Sequence, residues 1–137
     1  MALGNGTYTT ADNQVRIGNT SVNWIGGQVG WSTYSDSRLK TDIEDYSHGL
    51  DLILKLRPVE FKVKDDATQK IHSGFIAQEV EKTGVPFYGL NKPASDKDFY
   101  SLSYSEFVVP LVKSVQEQQK EIEDLKAEID QLKSKIK

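Results

Sequence analysis

Six consecutive residues, Ser35-Asp36-Ser37-Arg38-Leu39-Lys40, carry the side chains best suited to chemistry in this 137-residue sequence. A serine hydroxyl is a weak nucleophile until a base removes its proton, and a lysine amine five residues along can be that base when burial keeps it neutral. The nearest peptide bond can serve as substrate. Ser35 Oγ attacks the carbonyl of Tyr34, the Tyr34-Ser35 amide becomes an ester, and water opens it. The hexad therefore reads as a self-cleavage site. The same residues also fit a polar turn in which Ser35 or Asp36 caps a following helical turn while Arg38 and Lys40 stay in solvent. Spacing alone favours the polar turn, because Ser-x4-Lys pairs are common by chance. On an α-helix Ser35 and Lys40 would lie about 140° apart, so the cleavage reading needs a turn or an extended segment.

Composition narrows what else the chain can be. Hydrophobic residues make up 37% of it, too few for a large monomeric core in a chain this short, so surface must be buried between chains. There is no cysteine, which removes disulfide frames and thiolate metal sites. His48 and His72 are the only histidines and lie far apart, so each reads as a turn or strand-face residue and no metal or other cofactor is expected. A net charge of -3 argues against a general nucleic-acid binder, and no apolar run approaches the ~18 residues of a membrane span. No secretory signal is visible at the N-terminus.

The elements that must position the hexad fall on either side of it. Residues 1–34 are rich in glycine, poor in charge and carry Tyr8, Trp24, Trp31 and Tyr34. Short β-type runs at 6–10, 14–17 and 21–25 are separated by the turn signals Asp12-Asn13, Gly18-Asn19 and Gly26-Gly27. Strands this short cannot bury a core within one chain. A β-prism or β-helical stalk built by three chains is expected, the tail end of a longer fibre, with Trp24 and Trp31 packed at its axis or docked on the next domain rather than stacked on a ligand.

After the hexad, Gly49 to Leu56 places Leu50, Ile53, Leu54 and Leu56 on one helical face, and Arg57-Pro58 closes it. Val59 to Lys64 alternates strictly and predicts a strand with Val59, Phe61 and Val63 inward; a turn at 65–68 leads to a second strand over 70–76. Ala77 to Lys82 predicts a short helix ended by Gly84. Residues 85–101, with Pro86, Gly89 and Pro93, predict a loop with a strand on either side.

The last element is the strongest pattern in the chain. Ser103 and Glu106 have the spacing of a capping box. Beyond them Val108, Val115, Ile122, Ile129 and Ile136 fall at heptad position a, and Leu111, Leu125 and Leu132 at d. That predicts a coiled coil of about 45 Å at ~1.5 Å per residue. Glu121 and Glu128 at g stand five residues before Lys126 and Lys133 at e, the offset that pairs neighbouring chains in a parallel bundle. Pro110 is expected to loosen or kink the first turns.

The hexad, together with Leu56-Arg57-Pro58-Val59-Glu60-Phe61, Gly74-Phe75-Ile76-Ala77-Gln78-Glu79-Val80, and Leu102-Ser103-Tyr104-Ser105-Glu106 running into the heptads, resembles the C-terminal intramolecular chaperone domain of phage tailspikes, endosialidases and neck-appendage fibres. The resemblance covers residues 35–137. It implies an α+β protein: a small α/β body (35–105), a trimeric parallel coiled coil (106–137) and, before them, the β-rich stump of the fibre (1–34). It further implies a homotrimer whose partner is the parent fibre polypeptide upstream of Ser35, with no nucleic acid, membrane or small-molecule substrate. By the family's motif Ser35 is the nucleophile, Lys40 the general base, Tyr34-Ser35 the scissile bond, and Asp36 and Arg38 orienting residues. Assembly would take place in the bacterial host cytoplasm, with the parent fibre ending in the virion tail and the chaperone released as a single-turnover serine peptidase. The loop over 85–101 or the 62–70 hairpin would grip the fibre.

Ile or Val at a with Leu at d is the pattern of dimers, whereas the family is trimeric. The polar d residue Gln118 suits either state. Two other readings stay open: a structural trimer module in which no bond is cut, and a receptor-binding fibre tip whose aromatic N-terminal face meets a host glycan.

Overall fold

The computed structural model describes every residue except Thr20, Asn23, Asp65, Lys97 and Lys137. Parts of the expected strand at 21–25, the turn at 65–68 and the loop at 85–101 lie outside the described residues. The chain is a small mixed helix and sheet protein with a long C-terminal helix, and it divides into two compact units, Met1–Ile43 and Glu44–Lys137.

In the first unit, strand β1 (Ala2–Leu3) pairs in parallel with β2 (Arg16–Ile17). This ladder is shorter than the predicted strands. Residues 6–10 form no strand, 14–17 narrows to the two residues of β2, and no described residue of 21–25 is in a strand. Local side-chain bonding competes with a longer ladder: Gln14 Oε1 accepts the Thr10 and Ala11 N–H groups. Asn13 adds a positive φ of 57°. The Arg16 guanidinium lies 5.5 Å from the Tyr8 ring centroid. Trp24 and Trp31 are exposed in the single chain rather than packed.

The second unit is built on its last helix. Helix α1 (Leu50–Ile53) packs on α3 (Val108–Lys135), β3 (Val59–Lys62) pairs antiparallel with β4 (Ile71–Gly74), and α2 (Ala77–Lys82) follows. A further ribbon, β5 (Leu90–Asn91) with β6 (Ser101–Leu102), closes the base of the 92–100 excursion. The predicted helix over 77–82 forms as read, with Gly84 at φ +69° past its end, a conformation that costs glycine little. The hairpin also forms, with strands shorter than the 59–64 and 70–76 expected.

Four expectations are corrected. Leu52, not the Leu50, Ile53, Leu54 and Leu56 face, is the fully buried residue of α1, and Leu54 is exposed, because the helix is a single turn too short to present an i, i+4, i+7 stripe. Val59 is only half-buried and Phe61 and Val63 are exposed, since a two-stranded sheet covers neither face. The capping box is not made: the Ser103 hydroxyl accepts a bond from Asn91 Nδ2 at 3.2 Å and caps nothing, so a 3-10 turn (Tyr104–Phe107) precedes α3. Pro110 does not break the helix. It sits in the first turn of α3, where N–H groups have no intrahelical partner, and it is fully buried.

An aromatic cluster holds the unit together. Phe107, 5% exposed, lies 4.2 Å from Phe87, 5.1 Å from Phe75 and 5.9 Å from Tyr104 by ring centroids. Tyr104 Oη accepts the Phe75 N–H at 2.9 Å and occupies the space that a Cβ on Gly74 would need. At the other contact, Glu117 Oε2 accepts the Leu50 N–H at 2.8 Å and so caps α1. Gly49 lets the two approach, because a Cβ there would stand 2.5 Å from Glu117 Oε2 and 2.8 Å from Lys113 Cγ.

Candidate active site

The hexad lies in the first unit and folds as one 3-10 turn, Ser37–Leu39, bounded by extended residues at Asp36 (φ -67°, ψ 133°) and Lys40 (φ -120°, ψ 143°). Aspartate favours the residue before such a turn because its carboxylate can accept an exposed N–H. Here Asp36 Oδ1 accepts the Arg38 N–H at 2.9 Å. The backbone closes behind it, with Leu39 N–H donating to Asp36 O at 3.0 Å and Lys40 N–H to Ser37 O at 3.1 Å.

The Arg38 side chain folds back on the same carboxylate. Its Nε donates to Asp36 Oδ1 at 3.0 Å and its Nη2 to Oδ2 at 2.6 Å, the two-pronged contact that suits a guanidinium. Bonding to the Arg38 side chain, and secondarily to its backbone, holds the Asp36 carboxyl below its ordinary value, and the same pair raises Arg38. Asp36 thus ties two parts of the turn at once.

The turn brings the outer residues of the hexad together. Lys40 Nζ donates to Ser35 Oγ at 2.8 Å. An ammonium donates in this contact; a neutral amine at the same distance accepts the hydroxyl proton instead. The capped turn and the Lys40-Ser35 contact thus occur together. Tyr34 precedes Ser35 directly and is exposed, as are Ser35, Asp36, Arg38 and Lys40 in the single chain. Sequence reasoning missed the carbonyl of Ser37, which anchors the Lys40 backbone and has no side-chain signature.

His48 Nδ1 lies 2.9 Å from Asp51 Oδ2, and His72 stacks on Phe61 with ring centroids 5.8 Å apart. No group of three or more acidic or histidine residues arranged to hold a metal occurs among the described residues.

Residues 35–90 match the chaperone of endosialidase family, Peptidase_S74. The match starts at Ser35 and runs through the hexad, α1, the β3-β4 hairpin and α2 to β5. A family so described is a peptidase-related chaperone, which implies association with a parent fibre protein. A comparison with curated proteins finds no match.

Proposed function

We propose that this chain is an intramolecular trimerisation chaperone of a phage fibre or tailspike that releases itself by cutting the Tyr34-Ser35 bond. The 2.8 Å contact between Lys40 Nζ and Ser35 Oγ carries the reading, since it pairs a nucleophile with a base one residue from the bond to be cut. In the first step the neutral Lys40 amine takes the Ser35 hydroxyl proton while Oγ bonds to the Tyr34 carbonyl carbon. The carbon-nitrogen bond then breaks and the proton passes to the leaving Ser35 amine. Water hydrolyses the resulting ester, leaving a carboxylate on Tyr34 and restoring the serine. Asp36 and Arg38 orient the pair through the turn they tie.

Trimerisation rests on α3. Its seam residues are uncovered in one chain: Leu111 is 46% exposed, Leu125 51% and Leu132 59%. Apolar side chains at a and d on one helix need partner helices to leave water. We take three chains, the number that the family resemblance and the stalk composition favour, over the dimer pattern at a and d. Residues 1–34 are then the end of the fibre stalk, 35–105 the chaperone body and 106–137 the coil. Lys40, exposed in one chain, gains its burial when three chains meet in the host cytoplasm. Purified full chain should show two fragments on a denaturing gel, the larger beginning at Ser35, and Ser35→Ala should run as one full-length band. An uncut parent chain in a verified trimer would favour the non-cleaving structural module.

A further inference from the structure

The base of α3 is apolar over more of its circumference than a coiled coil needs. From Val108 to Val115 the a and d residues are joined by Val109 at b and Val112 at e, 53% and 52% exposed. Further along, the same positions are polar: Gln116, Glu123 and Asp130 at b, and Gln119, Lys126 and Lys133 at e. Beside the valines is a groove of about 380 Å³ lined by Tyr46, Val108, Val109 and Val112 and rimmed by Asp45, Lys113 and Gln116.

The rest of the helix base is already taken. Phe107 and Ser114 at g and Pro110 at c are buried under the body of the same chain, and Glu117 at c caps α1. In a parallel bundle the e side of one helix faces the g side of the next. At this level the neighbour's g side is covered by the neighbour's own body. We infer that the Tyr46-Val109-Val112 groove receives the body of a neighbouring copy of this chain, so that the subunit interface continues past the coil and locks each body to the next helix in a closed ring. This rests on the parallel trimer proposed above.

The test is Val109→Lys with Val112→Lys in the full chain carrying Ser35→Ala, so that cleavage does not change what is weighed. Polar residues fill the equivalent positions along the rest of α3, so an open groove would tolerate the change. Sedimentation equilibrium should show the trimer dissociating at a concentration at least tenfold higher than that of the Ser35→Ala parent. An unchanged trimer would overturn the inference and leave the coil intact as an idea, whereas a parent that is not trimeric would overturn the reading beneath it. The same two substitutions are also made in a monomeric Ile122→Asp, Ile129→Asp background. There the melting temperature should not move, and an equal loss of stability in the monomer would mean that the groove packs within one chain, against the inference.

Discussion

Replacing Ile122 and Ile129 by aspartate should leave the chain monomeric. Both are a-position residues of α3, 45% and 48% exposed in the single chain, so about half of each side chain still has water to lose. Full burial of such a side chain contributes ~1.5–3 kcal/mol, which leaves roughly 1 kcal/mol per isoleucine to be gained on assembly. Two layers in three chains make six side chains, and the loss is about 6 kcal/mol, on the order of 10⁴ in the association constant. Aspartates in the seam add the cost of desolvating their carboxylates or neutralising them. Sedimentation across a hundredfold range of protein concentration reads the change. A trimer of unchanged affinity would refute the coil as the source of assembly, and a dimeric parent would refute the trimeric assignment.

On the proposed reading Lys40 is buried only by assembly, so the same variant should also stay uncut; efficient fragment formation in a verified monomer would show that one chain holds a complete site. Glu117→Ala removes the acceptor for the Leu50 N–H. A lost cap of this kind costs ~0.5–2 kcal/mol, or a drop of several degrees in melting temperature, and an unchanged melt would mean the bond adds nothing. Glu79 is held below the ordinary carboxylate range by Arg57, and Glu81 by Lys92 and then Tyr100. A lowered folded-state value means that these contacts stabilise the body above the unfolded value of about 4.3, and the benefit is lost as pH falls through the lower folded-state values. Thermal melts should therefore fall on acidification below about pH 4, less steeply in Glu79→Gln with Glu81→Gln, and identical acid limbs would contradict this.

Local signals were legible wherever a few neighbouring residues decide the conformation. Ala77–Lys82 followed by Gly84, the alternation of Val59 to Lys64, and the a and d repeat of α3 each carry their own periodicity or breaker. Residues whose role depends on distant partners were not. Ser103 has the spacing of a cap, but Asn91, twelve positions earlier, takes its hydroxyl. Leu52 is buried because α1 lies on α3, and the capping carboxylate of Glu117 is 67 positions away from Leu50. The first 34 residues read as strands from composition, yet Trp24, Trp31 and Tyr34 are exposed within one chain, and the ladder among the described residues there is two residues long. At the hexad, residue types named the pair Ser35 and Lys40, while the Asp36-capped turn that sets them 2.8 Å apart follows from local bonding.

Intact-mass measurement and N-terminal sequencing of the Lys40→Arg chain, set beside the parent, test the central claim most directly. Arginine keeps the positive charge and can still bond to Ser35 Oγ but does not deprotonate, so it cannot serve as the base. The parent should yield one fragment ending at Tyr34 and another beginning at Ser35, and Lys40→Arg should remain a single full-length chain. Fragments beginning at Ser35 in the Lys40→Arg protein would contradict the account, because the hydroxyl would then be activated without Lys40.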